Sequence, residues 1–455
     1  MDLSIIVLAA GQGTRMRSDL PKVLHTLGGR PLLAHALDTA HRLEAAAIHV
    51  VIGHGADQVR EAFAQAGVHW AIQERRLGTG HAVAQVLPDV PDSRTVLVMY
   101  GDVPLITPDS LEKLVGIADQ GGLAVLTAVL DDPSGYGRIL QDAVGNIRGI
   151  VEEKDATAEQ RRIREINSGF LAAPAGRLRA WVQALDNSNA QGEFYLTDVV
   201  ALAVRDGVTV RGVQTTDPHE ILGVNDRAQL AALERCFQRR QAQDCMQAGV
   251  TLVDPARFDL RGRLTAGQDV AIDVNAVLEG TVRLGNRVTL GPNVVIRDTS
   301  VGDDVTILAN CVIENATIGD GARIGPFARI RPETVLAAGS HVGNFVEIKK
   351  SQVGVGSKIN HLSYIGDASV GCNVNIGAGT ITCNYDGAGK HRTVIGDDVF
   401  IGSDTQLVAP VEVGDGATIG AGSTITRDAP AGELTLSRAP QQSRPGWKRP
   451  VKQKG

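Results

Sequence analysis

Long apolar runs are missing from this chain. None approaches the ~20 consecutive residues that a membrane-spanning helix needs, so no span is expected. Cysteine is scarce as well. The five present, Cys236, Cys245, Cys311, Cys372 and Cys383, form no C-x-x-C pair and no even framework, which argues against a disulfide scaffold and fits a reducing compartment. Charge of neither sign dominates: 45 Lys and Arg stand against 51 Asp and Glu, a formal net charge of -6. That balance argues against nucleic acid as a partner, while leaving room for local basic clusters around phosphorylated small molecules. The apolar run Leu3 to Ala10 has Asp2 ahead of it in place of a basic segment, and it leads into a Gly-rich turn, not a cleavage site. It is expected to be a strand, and the protein cytoplasmic. Asn315-Ala316-Thr317 fits a glycosylation sequon but lies inside a repeat and would matter only in a secreted protein.

What is present is length and pattern. A chain of 455 residues with 43% hydrophobic content can hold two or more domains with buried cores. Residues 1–225 alternate short apolar runs, Leu3 to Leu8, His49 to Ile52, Val96 to Met99 and Leu123 to Leu126, with helical patterns, which is the signature of an α/β domain. Residues 226–250 are Arg-rich and Gly-poor, with Leu230, Leu233 and Phe237 at helical spacing, and predict a connecting helix. From residue 251 to 455 a different rule takes over. An aliphatic residue followed by Gly recurs in steps that are mostly multiples of six, as at Ile318-Gly319, Ile324-Gly325 and Val342-Gly343, and again at Ile395-Gly396, Ile401-Gly402, Val413-Gly414 and Ile419-Gly420. Hexapeptide arrays of this kind form parallel β-helices, six residues to a face and about three faces to a coil. Steps of five at Gly371 and eleven at Gly302 and Gly354 are expected to mark loops, as is Asn384 to Lys390, where Gly377 and Gly396 stand nineteen apart. Beyond Thr426 the pattern fades into a Pro-, Arg- and Lys-rich tail, a disordered end or an arm that orders on binding.

The first strand runs into Leu8-Ala9-Ala10-Gly11-Gln12-Gly13-Thr14-Arg15-Met16, followed by Pro21-Lys22-Val23-Leu24. Backbone N–H groups in such a loop can cradle phosphates, and Arg15 and Lys22 can neutralise them. Met16 stands where a dinucleotide fingerprint has its third Gly, and the G-K-S/T of a P-loop is absent, so both of those readings fail. Asp102 and Asn225 offer hard oxygen ligands suited to Mg²⁺. Read alone, Asp102 before Pro104 is better explained as a turn cap, a preference that its place in the motif below reverses.

The nine-residue string with its Pro-Lys resembles the signature of sugar-nucleotide pyrophosphorylases, in which a sugar-1-phosphate attacks the α-phosphorus of a nucleoside triphosphate. Joined to a hexapeptide helix, it resembles one family over nearly the whole chain: bifunctional N-acetylglucosamine-1-phosphate uridyltransferases fused to glucosamine-1-phosphate acetyltransferases. The resemblance implies a Rossmann-like α/β nucleotidyltransferase domain followed by a left-handed parallel β-helix, and a homotrimer with acetyl-transfer sites between subunits. It implies UTP and acetyl-coenzyme A as co-substrates, Mg²⁺ as cofactor, and UDP-N-acetylglucosamine as product. Gln73 with Leu77-Gly78-Thr79-Gly80-His81-Ala82 looks like the family's nucleotide contact region, and Tyr100-Gly101-Asp102-Val103-Pro104-Leu105 like its metal-binding strand end. By the same resemblance Leu8, Ala9, Ala10, Gly11, Lys22, Gln73, Gly78, Thr79, Tyr100, Gly101 and Asp102 contact substrate, as do Gly137, Glu152, Asn167 and Asn225. Arg15 and Lys22 serve the chemistry, and Asp102 and Asn225 hold the metal. The family's Glu-Tyr-Tyr-Leu-Thr-Asp reads Glu193-Phe194-Tyr195-Leu196-Thr197-Asp198 here, one hydroxyl short.

In the second half, Arg331-Pro332, Glu347-Ile348-Lys349-Lys350 and Asn360-His361-Leu362-Ser363-Tyr364 resemble the acetyltransferase. The resemblance implies that Arg331, Lys349 and Tyr364 bind glucosamine-1-phosphate, that Asn375, Asn384 and Tyr385 contact substrate, and that Ala378, Ser403, Ala421 and Arg438 line the coenzyme A site. Glucosamine's amine is largely an ammonium near neutrality, so acyl transfer needs a proton acceptor, and His361 is the candidate. Glu347 either orients that His or pairs with Lys349. Two other readings compete. His341 and His361, about one coil apart, could hold zinc as in γ-class carbonic anhydrases, although a third histidine at matching spacing is missing; or the helix could be only a trimerising scaffold. Uridine and thymidine triphosphates differ by one methyl group, and the sequence does not separate them.

Overall fold

The computed structural model describes residues 2–452, which divide into two compact units, Met1–Phe237 and Gln238–Gly455. The first is built on a nine-stranded sheet. Along its main path lie Val210–Gln214, Leu123–Val129, Glu165–Pro174, Thr95–Tyr100, Leu3–Ala9, Ala47–Ile52 and His69–Ile72. The four strands expected from sequence are all present, each a residue or more longer than its apolar run. Leu3–Ala9 is buried on both sides: Leu3, Ile5, Val7 and Ala9 join one core, while Ile6 and Leu8 join the other. A parallel strand packed on both faces cannot alternate apolar with polar, which explains the unbroken run. The chain leaves this strand to pair first with Ala47–Ile52 on one side and then with Thr95–Tyr100 on the other. Such a reversal opens a crevice beyond the carboxyl ends of the two strands, the usual ligand position in open α/β sheets.

Arg227–Gln247 is one helix, as its spacing predicts. Its first half turns Leu230, Leu233 and Phe237 onto Met16, Leu27, Leu32, Leu105 and Val224 of the first unit. Gln238 and Ala242, beyond them, belong to the second unit, where Gln238 exchanges two hydrogen bonds with the backbone of Leu260.

The second unit is a left-handed parallel β-helix. Ile272, Leu290, Ile307, Ile324, Val342, Ile359, Ile376, Ile401 and Ile419 pair in succession up one face, every one of them buried. The Gly302, Gly354 and Gly371 irregularities are not loops. Strand pairing continues past each, and the coil merely shortens from eighteen residues to seventeen, as in Leu290↔Ile307 and Val342↔Ile359. Asn384 to Lys390 does interrupt a coil, so that Ile376 and Ile401, twenty-five positions apart, still pair.

Three positions after each inward aliphatic the chain turns a corner in the left-handed region. Asn275, Asn293 and Asn310 take that conformation first, then Phe327, Phe345 and Leu362. Asparagine tolerates it readily; phenylalanine and leucine do so at a cost. At Gly371 the constraint is packing: a Cβ there would lie 2.5 Å from the Gly396 carbonyl oxygen. Gly371→Ala is predicted to lower the unfolding free energy of the β-helix by about 1–3 kcal/mol in urea denaturation followed by circular dichroism. Gly116, exposed within the helix Pro108–Asp119 with nothing near its would-be Cβ, supplies the contrast. Gly116→Ala is predicted to stabilise the first unit by about 0.4–1 kcal/mol.

Candidate functional sites

In the first unit the crevice holds two cavities. One of about 340 Å³ is lined by Leu8, Ala9, Ala10, Gly11, Lys22, Gln73, Gly78, Thr79, Tyr100 and Asp102, together with Glu193, which opens the Glu-Phe-Tyr-Leu-Thr-Asp string, and Arg76, which the sequence did not single out. The other, about 280 Å³, is lined by Arg15, Tyr136, Gly223 and Asn225 and shares Tyr100 and Asp102 with the first. Asp102 therefore stands where the two meet. Lys22 bridges them chemically: its ammonium is paired with the Asp102 carboxylate and lies 3.3 Å from Asn225 Oδ1. The loop can rest on the lysine stem because residue 13 is Gly, at φ 65°; a Cβ there would come within 2.8 Å of Lys22 Cβ.

Gln73 is buried and tightly committed. Its Nε2 donates to the Gly78 carbonyl at 3.0 Å and lies 3.0 Å from His81 Nδ1. The carbonyl acceptor fixes which way the amide points. Oε1 has no hydrogen-bond partner among the described residues. Gln73 lines the larger cavity with this acceptor oxygen unspent.

Glu152 accepts from Thr197 Oγ1 at 3.0 Å, and burial, reinforced by Asp198 and Asp155, pushes its carboxyl above the usual range. Its carboxylate lies 3.4 Å from where a Cβ on Gly137 would stand. Burial, with the charges of Glu152 and Asp102, likewise raises the Tyr100 phenol, whose ring lies flush against Gly169. Gly101 packs against Ala9 and Leu33. Asn167 is buried with its Oδ1 accepting from the Gly169 N–H at 3.1 Å, and lines neither cavity.

In the second unit one outward column carries alternating charge. Arg261, Glu279, Arg297 and Glu314 occupy successive rungs and bond in sequence, with Arg297 Nη1 3.0 Å from Glu314 and Arg261 Nη1 3.1 Å from Glu279. The alternation then breaks. Arg331 and Lys349 directly follow the paired Ile330 and Ile348, so two cations stand on adjacent rungs. The next rung is Gly366, and the Tyr364 hydroxyl folds over it, within 2.4 Å of where a Cβ would be. Two like charges and a hydroxyl are thus brought together. Lys390, from the inserted segment, approaches Lys349 closely enough that its ammonium is depressed by that neighbour. No sequence signal separated Lys390 from the rest of that loop. Glu347 neither orients His361 nor pairs with Lys349; it bonds Arg331 Nη1 at 2.7 Å. Asn384 donates to Asp367 and, at 3.5 Å, to Tyr364 Oη, while Tyr385 is exposed and donates to Gly387 O.

A second column lies at the corner. Asn344 pairs with His361, and the registers Lys358↔Asn375, Asn375↔Phe400 and Phe400↔Thr418 carry the same position up to Ala378, Ser403 and Ala421. Arg438 donates to the Ala421 carbonyl at 2.7 Å, tying the start of the tail to the last coil. His361 Nδ1 lies 3.0 Å from Asn344 Oδ1. Asn375 sits on the adjoining face, in register with Lys358. His341 pairs with Lys358, so the two histidines are not rung partners. Among the described residues no three His, Cys, Asp or Glu side chains converge as metal ligands.

The crevice and Gly-containing loop of the first unit and the hexapeptide β-helix of the second fit a nucleotidyltransferase joined to an acyltransferase in one chain. Family models agree. Residues 5–194 match the MobA-like NTP transferase domain, 260–353 the GMPPB C-terminal domain, and 392–427 the bacterial transferase hexapeptide repeats. Over nearly its whole length the chain is 61% identical to bifunctional protein GlmU of Alkalilimnicola ehrlichii, covering 98% of this chain and 96% of that protein. Against those of Marinobacter nauticus and Methylococcus capsulatus it is 58% identical, covering 99% of this chain and 99% and 98% of theirs. The chain belongs to the GlmU family and is a bifunctional enzyme, uridyltransferase and acetyltransferase in one polypeptide, acting on a nucleotide, acetyl-coenzyme A and small sugar phosphates.

Proposed function

We propose that uridylyl transfer takes place where the two cavities meet at Asp102, with UTP in the larger and N-acetylglucosamine-1-phosphate in the smaller. The observation that carries this reading is the convergence of Lys22, Asp102 and Asn225. An ammonium held between a carboxylate and an amide oxygen supports the reading that the donor pair suits a cation, and one charge with two hard oxygens fits Mg²⁺ with water and phosphate oxygens completing its shell. When bound, the metal supplies charge neutralisation to the phosphates. Lys22 and Arg15 add to it from the protein. The sugar phosphate is already an ionised nucleophile, so the chain's task is to align it with the α-phosphorus while pyrophosphate leaves, and no general base is needed. Gly137, Glu152 and Asn167 line neither cavity and would support the sugar end from behind its lining residues.

Acetyl transfer uses the two columns of the β-helix. Arg331, Lys349 and Tyr364 hold the phosphate of glucosamine-1-phosphate, since two cations on adjacent rungs, only one of them paired with Glu347, call for a further anion. Asn375, Asn384 and Tyr385 border the sugar. Ala378, Ser403 and Ala421, all small and in line above His361, leave room for coenzyme A, with Arg438 at its far end. His361 takes a proton from the glucosamine ammonium; the freed amine attacks the thioester carbonyl and the C–S bond breaks. The acetylated product is then the substrate of the first unit.

We further propose a homotrimer. Phe327 and Phe345 stack at 5.2 Å while 49% and 55% exposed, with Leu362 64% exposed above them, and a second copy would cover this ladder. Cytoplasmic location fits five free cysteines.

Incubation with UTP, Mg²⁺, acetyl-coenzyme A and glucosamine-1-phosphate should yield UDP-N-acetylglucosamine, identified by mass spectrometry. Asp102→Ala should abolish uridylyl transfer and spare acetyl transfer; full Mg²⁺-dependent turnover would refute the metal assignment. His361→Ala should lower acetyl-transfer kcat by ~10² to 10⁴, whereas Lys349→Ala should mainly raise KM for glucosamine-1-phosphate. Gln73 Oε1, the unspent acceptor of that amide, would accept uracil's N3–H and repel cytosine's bare N3. CTP should fall below UTP in kcat/KM by on the order of 10² or more; parity would show that Gln73 does not face the base.

A further inference from the structure

The proton acceptor proposed above needs its imidazole held in one tautomer, and Glu347, for which orienting that ring was one of two expected roles, is engaged with Arg331. We infer that Asn344 is the positioning residue for His361, fixing Nδ1 as the protonated nitrogen so that Nε2 is the one that accepts the substrate's proton. This rests on the reading of His361 as base.

The geometry comes from the fold itself. Asn344 and His361 are rung partners in a parallel ladder, so their side chains leave the backbone at the same corner one strand spacing apart. Leu362 N–H donates to the Asn344 carbonyl at 3.1 Å, and Gly379 N–H to that of His361 at 3.2 Å, which clamps both backbones. Across that gap Asn344 Oδ1 is 3.0 Å from His361 Nδ1. A neutral imidazole has one donor and one acceptor nitrogen, so an oxygen acceptor at Nδ1 leaves Nε2 with the lone pair. The amide carries no charge. It can therefore orient the ring without favouring the imidazolium, and a base must enter each cycle unprotonated. A carboxylate in the same place would stabilise the charged form. The neighbouring charged groups are His341 and Lys358, paired on the same two strands, with Arg323 one coil below; burial, then Arg323, Lys358 and His361, hold His341 below its ordinary value. All three are unchanged by substitution at 344.

The test is steady-state acetyl transfer across pH 6 to 9 by the full chain, comparing parent, Asn344→Ala, Asn344→Asp and His361→Ala, with uridylyl transfer measured on the same preparations. Asn344→Ala should lose about tenfold in kcat, part of the ~10² to 10⁴ that a base supplies, with KM for glucosamine-1-phosphate unchanged. The near-isosteric Asn344→Asp keeps the acceptor and adds a charge, so it should recover kcat at high pH while the acid limb of kcat/KM moves upward. Fold damage alone would lower the amount of active enzyme and leave the acid limb in place. An unmoved limb in Asn344→Asp, or parental kcat in Asn344→Ala, overturns the inference. If His361→Ala itself retains parental kcat, the reading of His361 as base fails, and the inference with it.

Discussion

Everything in the second unit depends on parallel rung stacking. Each coil donates its backbone hydrogen bonds to the next, as from Arg329 N to Val346 O and on from Glu347 N to Ser363 O, so a residue's neighbours along the helix are set by register. Columns follow from this. Isoleucine over isoleucine makes the core, and arginine over glutamate makes a neutral outer stripe. A departure from a column's rule stands out because the rest of the column defines what is ordinary. Arg331 over Lys349 is such a departure, and the small residues above His361 are another.

The first unit places its chemistry differently. Its strands end at a crevice, and the groups that meet there come from residues 22, 102 and 225. Here the binding loop, a strand end and the segment leading into the long helix each contribute one group, held by the packing of Met16, Leu105 and Val224 around Leu233. Carboxylate, amide and ammonium balance one another there, which makes their proximity affordable in a partly buried place.

The β-helix was legible in the sequence because its rule is one-dimensional: an aliphatic before Gly at fixed steps states both the fold and the inward face. The motif strings marked most of the crevice for the same reason, being contiguous. Contacts between distant segments were less accessible. The sequence offered Glu347 two partners, His361 and Lys349, and only the structure shows that Arg331 takes it. The steps of eleven and five looked like loops because counting glycines cannot distinguish a missing corner residue from an inserted one; strand pairing past Gly302, Gly354 and Gly371 can. Arg76, Lys390 and Asn344 carried no motif of their own.

The coil that spans Ile376 to Ile401 holds twenty-five residues where its neighbours hold seventeen or eighteen, yet the strands on either side resume their pairing undisturbed. Length is therefore not what the stack measures; it measures only where each strand begins again. A corner can take on extra chain as a tree takes a graft, with the stock unaware of it. Chemistry added in this manner, a lysine or an asparagine carried outward on a few residues, can be acquired, exchanged or lost while the scaffold beneath stays the same.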